Sequence, residues 1–428
     1  MIVLFHQKFT SYSLGSALFL AFCFDYSIAQ ADWPRWRGAQ GAGHIATGQK
    51  LPSKLPDEAK TLWKTSVGFS LGSPAVSGGK LFHMDNQNGK ETLHALQANT
   101  GKPLWSATID DTFRDSQSAP GPRFTPLIDG ERVYAQSCKG ELQCFNVNDG
   151  KLIWKTNYVK DFGATFTGER GPTLGASRHG YTGSPLIDGD KMIVAVGGPE
   201  ASVVAFEKIS GKVLWKSQSE GAAYVGPVGA TINGVPQYVV FMAESVMGLK
   251  ADDGALLWRY PIKTSYGRHA ATPVIVGDTI VVSSHQVGLM GLRIEKKGDA
   301  FEVSRAWLSK ELAINYSSPV AVGEWIYGVG PNKTLFCINA KSGQQGWVKD
   351  LFFSGVMRRD YAGLIADKDH ILALADSGQL ALIAADPKAC RDLGRLQVVG
   401  DNWCHPAYSD GKLWLRDNEE LRCVQLSP

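Results

Sequence analysis

The 428 residues carry 44 Lys and Arg against 41 Asp and Glu, a formal net charge of +3, with 20% charged and 44% hydrophobic residues. So even a balance gives neither the basic surface of a nucleic-acid binder nor an acidic tract, and any binding charge has to be local. Length alone would allow two or three domains, but an internal repeat of fixed spacing overrides that prior in favour of one closed array.

Residues 1–31 read as an export signal rather than as fold. Lys8 stands in a short n-region, the apolar run LGSALFLAFCF from Leu14 to Phe24 is too short to span a bilayer comfortably, and Ala29-Gln30-Ala31 is an A-x-A cleavage site before Asp32. Cleavage after Ala31 makes the mature protein periplasmic or secreted, with no membrane span. Cys23 would suit lipidation only with a small residue before it, and Phe22 is large. Residues 32–60 show no strand period and are rich in Gly, Pro and Ala, yet hold Trp33, Arg35, Trp36 and Arg37. Two tryptophans so close argue for an extended arm packed on the fold, not a disordered leader.

From residue 61 onward the chain repeats. The skeleton is small residue, any, polar, three any, Gly, three any, Trp, first seen in ALQANTGKPLW from Ala95 to Trp105. It returns as Cys144/Asn146/Gly150/Trp154, Ala205/Glu207/Gly211/Trp215, Gly248/Lys250/Gly254/Trp258 and Cys337/Asn339/Gly343/Trp347. Each copy leaves an alternating apolar strand, turns where the backbone needs positive φ, and opens the next strand on Trp. A second marker, a Pro or its equivalent at the head of a strand, precedes each copy at Pro74, Pro126, Pro185, Pro227, Pro273 and Pro319; Pro there loses no ladder bond. Degenerate copies begin at Gly363 and at His405-Pro406. Eight units result, mostly about 42 to 59 residues apart, the period of propeller blades.

The ends complete one another. Residues 61–66 (TLWKTS) look like a fourth strand with no first three, while LWLR and LRCVQL near the C-terminus look like a blade with no fourth. The expectation is an all-β, eight-bladed propeller of four-stranded antiparallel blades over residues 61–428, closed by an N-terminal strand that completes the last blade. Unit five, with Trp307 delayed, and unit seven, with Leu393-Gly394-Arg395 in place of a closing Trp, should be the least regular. Cys144, Cys337 and Cys423 occupy the small slot that Ala95, Ala205 and Gly248 fill elsewhere, so packing accounts for them; Cys390 and Cys404 are the pair that no slot explains.

The skeleton with its terminal Trp resembles the tryptophan-docking repeat of bacterial quinoproteins, and eight such units resemble the broader PQQ-like propeller family that includes the outer-membrane assembly lipoprotein BamB. The arm Asp32-Trp33-Pro34-Arg35-Trp36-Arg37-Gly38 is similar to the W-P-x-W/F-R-G opening of secreted PQQ-repeat proteins. The resemblance implies the fold directly and function only weakly. Alcohol-oxidising quinoproteins carry an adjacent Cys-Cys ring in many members, a calcium held by acidic and Asn side chains, and a catalytic Asp; this sequence has no Cys-Cys and few carboxylates near the expected site.

In a propeller, the segments that enter the first strands converge at one mouth of the central channel. The residues placed there are Arg123, His179, Tyr181, Arg268, His269, Tyr316, Arg358, Arg359, Tyr361 and Trp403, with Glu169, Asp360 and Asp401 the nearby acids. Solvated mouth loops take polar residues in any case; the adjacent Arg358 and Arg359 and the Arg-His pairs 178–179 and 268–269 favour a pocket for an anionic or carbohydrate ligand. No H-E-x-x-H, paired-Cys zinc pattern, G-x-S-x-G or P-loop occurs. The reading is a monomeric, non-catalytic binding or assembly scaffold with no cofactor or metal, engaging a protein, peptide or glycan at a propeller face and no nucleic acid. The alternative is a PQQ-dependent oxidoreductase acting on alcohols or sugars, with calcium, in which Arg268, Arg358 and Arg359 hold the cofactor's carboxylates.

Overall fold

In the repeat skeleton, Gly and Trp serve two different blades. At Gly101, Gly150, Gly211, Gly254 and Gly343 the backbone takes φ between +70° and +74°, the left-handed region that a Cβ disfavours. Each glycine N–H donates to the carbonyl four residues back, for example Gly150 to Asn146 at 3.0 Å, which tightens the hairpin. A Cβ on Gly101 would lie 2.6 Å from the Trp63 ring, and one on Gly150 2.6 Å from Trp105. The Trp of one blade therefore seats on the Gly turn of the next. Its indole N–H donates to a backbone carbonyl there: Trp105 to Val147 at 3.2 Å, Trp154 to Lys208 at 3.1 Å, Trp307 to Ala340 at 2.7 Å.

The small slot lies on the neighbouring strand, directly opposite the Trp. Ala95 pairs with Trp105, Cys144 with Trp154, Ala205 with Trp215, Gly248 with Trp258, Gly291 with Trp307, Cys337 with Trp347 and Cys423 with Trp63. An indole lying over the sheet leaves no room for more than a methyl or thiol beneath it; a Cβ on Gly291 would sit 2.2 Å from the Trp307 ring.

These rules assemble the computed structural model, which describes residues 32–169, 174–353 and 360–426. The strand β1 (Lys60–Ser66) comes first, followed by seven consecutive four-stranded sheets. Blade 1 holds β2 (Ala75–Ser77), β3 (Lys80–Gln87), β4 (Lys90–Gln97) and β5 (Pro103–Asp111). Blades 2 to 7 open on Leu127, Leu186, Val228, Val274, Val320 and Ala362. Blade 8 has β30 (Ala407–Ser409), β31 (Lys412–Arg416) and β32 (Glu420–Gln425), and β1 adds as its fourth strand, with Trp63 opposite Cys423. The all-β, eight-bladed architecture and its closure are as the repeat implies. Among the described residues no helix is long and apolar enough to cross a membrane.

Blade 5 departs from the pattern in length: its last two strands, Gly288–Lys297 and Ala300–Ser309, are ten residues each, yet Trp307 keeps its place over Gly291 and Gly343. The hairpin glycine of blade 5, Gly298, keeps a positive φ of +62° but has nothing within 4 Å of its Cβ position, so it does not receive Trp258, which donates instead to Gln237 Oε1 at 2.6 Å. In blade 7 Arg395 stands opposite Ala381 where other blades have Trp, and its guanidinium lies 4.2 Å from the Phe352 ring centroid.

All six described cysteines are free, and Cys390 and Cys404 are not joined. Burial pushes the thiols of Cys144, Cys337 and Cys423 up to about 12, so they stay protonated and unreactive. Each Cys→Ala change at these three is expected to cost no more than about 1 kcal/mol, the loss of one small buried group. Chemical denaturation checks this, and intact-mass analysis after alkylation of the unfolded protein should find all three as free thiols.

Candidate functional site

The arm supplies one wall of the site. Trp33 forms a bridge with Val76 in blade 1, its N–H donating to the Val76 carbonyl at 2.8 Å, and the Pro34 carbonyl accepts from Ile128 in blade 2. The Arg37 guanidinium, fully buried, donates to the Ala42 carbonyl and across to Pro319 at the head of blade 6; Ile45 N–H donates to Ala366 in blade 7. A segment bonded to the innermost strands of blades 1, 2, 6 and 7 lies across the channel. Trp36 packs edge-on to His405 at 5.3 Å and forms part of the lining of a cavity of about 440 Å³ at the channel mouth.

Of the ten residues placed at the mouth from the sequence, Arg123, His179, Arg268, Tyr316, Tyr361 and Trp403 line this cavity. Tyr181 and His269 do not. In the extended segments that enter a blade, successive side chains point to opposite sides, so only one of two neighbours reaches the channel. Arg268 lines the cavity while His269 turns inward, stacked on Phe241 at 4.2 Å, with burial lowering its imidazole to about 4. Tyr181 packs edge-on to Tyr158 at 5.0 Å in the core between blades. Arg358 and Arg359 lie outside the described residues.

The two lining arginines differ in their surroundings. Arg123 donates to Asp115 Oδ2 at 2.7 Å and to Ser118 Oγ at 2.8 Å, and also to the His179 carbonyl. His179 Nδ1 lies 2.9 Å from the same Asp115 oxygen, while Oδ1 accepts from the Gln117 and Ser118 N–H groups. Burial opposes ionisation of Asp115, but the His179 hydrogen bond and the Arg123 charge outweigh it and hold the carboxyl well below the usual range. Arg123 is thus neutralised in place. Arg268 has no ion pair or side-chain hydrogen bond among the described residues; its guanidinium lies 5.4 Å from the Tyr316 ring centroid, and its Nε is buried without a partner. Tyr316 meets Trp403 edge-on at 5.4 Å, and Trp403 stacks on Tyr361 at 5.6 Å.

Sequence reasoning passed over Asp115, which sits in no repeat slot; its signal is local, an Asp followed by two residues that its carboxylate caps, as at many loop turns. Asp115, Glu169 and His179 bring three donor atoms within 4.8 Å of one another. Asp115 is committed to Arg123, however, and Glu169 accepts from Ser116 N and Oγ at 2.9 and 2.6 Å, so the cluster is a hydrogen-bonded brace with a guanidinium where a cation would have to sit.

The loop carrying Asp115 is anchored from beneath by Glu91 of β4. Its fully buried carboxyl accepts from the Cys138 N–H at 3.0 Å, and burial raises it from 4.5 to about 7. The folded state therefore holds this proton more tightly than the unfolded chain, so the stability it confers is full below pH 4.5 and lost as pH rises towards about 7. His269 and His405, lowered from 6.5 to about 4, act in the opposite sense, losing stability as pH falls through that range. A comparison with Glu91→Gln separates the two: the Gln variant should gain about 3 kcal/mol on wild type between pH 4.5 and 7.5, read as diverging urea midpoints.

The family model described as outer membrane protein assembly factor BamB matches residues 55–164 and 170–349. The chain is similar to the outer membrane protein assembly factor BamB of Burkholderia pseudomallei, 27% identical over 209 residues, 47% of this chain and 46% of that protein, so the chain spans about half of that relative's length. Among solved structures, BamB from Moraxella catarrhalis superposes with a TM-score of 0.58 at 12% identity, over 86% of this chain and 99% of that one. Quinohemoprotein alcohol dehydrogenase ADHIIG from Pseudomonas putida HK5 superposes with a TM-score of 0.62 at 10% identity, over 92% of this chain and 80% of that one. At such identities the two structures establish the fold alone.

Proposed function

Because the chain belongs to the family of the outer membrane protein assembly factor BamB, we propose that it acts outside the cytoplasm as a monomeric scaffold that binds or assembles other molecules and catalyses nothing itself. Its partner is a protein, peptide or glycan engaged at the propeller face that holds the arginine and aromatic cavity. The relative's name supports the assembly role, and the export signal read from residues 1–31 supports the compartment.

The observation that carries the non-catalytic half is the state of Asp115. It is the one carboxylate among the described residues lining the cavity, and Arg123, His179, Gln117 and Ser118 take up both its oxygens. A PQQ-dependent oxidoreductase is favoured by the structural likeness to a quinohemoprotein dehydrogenase and by a sequence likeness to the polyvinylalcohol dehydrogenase of Pseudomonas sp, 27% identical over 269 residues. That chemistry needs calcium on several free oxygen ligands to make the quinone electrophilic, and this donor set does not fit it. After mixing with PQQ and calcium and removal of the excess, the purified protein should carry no quinone absorption and reduce no dye with alcohols or sugars. A stoichiometric quinone band would overturn the reading.

A further inference from the structure

We propose that the mouth cavity binds an acidic sugar, a pyranose ring bearing a carboxylate, with Arg268 as its anchor. The proposal deepens the scaffold reading and rests on it. Three features of the lining have to be matched at once.

The first is charge. Arg123 is matched by Asp115, whereas Arg268 faces the cavity with no acidic partner among the described residues. A carboxylate fits a guanidinium through two parallel N–H···O bonds, and in a partly enclosed site such a pair is stronger than in open water. The second is shape. Tyr316 lies against Arg268 at 5.4 Å and meets Trp403 edge-on at 5.4 Å, so an apolar aromatic wall begins next to the anion position. A pyranose presents such a face through its axial C–H groups. The third is orphaned hydrogen bonding. Ser184 Oγ and Tyr361 Oη both belong to lining residues, are buried at 5% and 4% exposure, and have no hydrogen-bond partner among the described residues. Leaving either unpaired against a bound ligand weakens binding.

An aromatic acid would satisfy the first two features and leave both hydroxyls unpaired. A neutral sugar would satisfy the last two and leave Arg268 unmatched. A simple anion meets only the first. The acidic sugar is the class that meets all three, and a cavity of about 440 Å³ falls within the range of small-molecule sites.

Calorimetric titration of the mature protein, residues 32–428, with sodium glucuronate, glucose and benzoate tests this. Glucuronate should bind saturably, at least tenfold more tightly than either of the others. Arg268→Gln should bring glucuronate down to the level of glucose. Ser184→Ala should weaken glucuronate severalfold and leave benzoate unchanged, a pattern that a general loss of folding would not produce. Glucuronate binding no tighter than glucose or benzoate, or untouched by Arg268→Gln in a variant that melts like wild type, overturns the proposal. Either result leaves the scaffold reading standing, since that is judged separately by cross-linking to partners in the cell envelope and by the quinone test.

Discussion

Deleting residues 61–67 should lower the stability of the protein by about 5 kcal/mol or more and leave it prone to self-association. The deletion removes β1, whose ladder with β32 runs from Lys60 opposite Gln425 to Ser66 opposite Glu420. It also removes Trp63, which seats on Gly101 of blade 1 and donates to the Ala98 carbonyl at 2.8 Å. Truncating a packed Trp alone costs about 3 to 5 kcal/mol. Beyond that, β32 becomes a bare edge, and blade 8 keeps only its other bonds to blade 1, such as Trp414 to the Ala98 carbonyl and Arg416 to the Met84 carbonyl. An exposed edge strand is a template for pairing with another chain. Urea unfolding followed by tryptophan fluorescence should show the lowered midpoint, and light scattering the association. An unchanged midpoint with a monomeric species would show that β1 does not close the ring.

The second large effect is expected at the glycine turns. Gly150→Ala should cost about 2 to 5 kcal/mol, whereas Gly189→Ala should cost about 1 to 2. Both glycines have positive φ, +70° and +56°, so both substitutions incur the left-handed backbone penalty. Only at Gly150 does the new methyl meet anything: its Cβ would stand 2.6 Å from the Trp105 ring, while nothing lies within 4 Å of the corresponding position at Gly189. The difference between the two variants measures the seating of Trp on Gly apart from turn strain. Equal costs in parallel denaturation would mean that this contact contributes nothing to holding neighbouring blades together.

The fold was legible because its rule is local and repeated. Eleven residues encode a hairpin and the contact to the next blade, and each copy corroborates the others. Closure was legible for the same reason, since Trp63 and Cys423 are the two halves of a pair seen intact elsewhere as Trp154 and Cys144. The site was legible only in outline. Position ahead of a strand says that a residue is near the channel, but not to which side it turns, and His269 and Tyr181 face the core for that reason. Nor does position reveal neutralisation: Asp115 and Arg123 are eight residues apart in a loop outside the repeat, and only their meeting at 2.7 Å separates Arg123 from Arg268. The arm's tryptophans signalled packing, yet nothing in the sequence indicated that Trp36 would join the cavity lining.

The last blade also sets a timetable. β1 is among the first ordered segments to be made, and its partner β32 is among the last. At 5 to 20 residues per second, roughly 20 to 70 s separate Ser66 from Glu420 during synthesis. Through that interval the first strand has no neighbour to pair with, and seven blades can form around a gap. Completion of the ring is thus a final event that reports on everything between, and any delay in supplying the C-terminus prolongs the period in which the first strand stays unpaired.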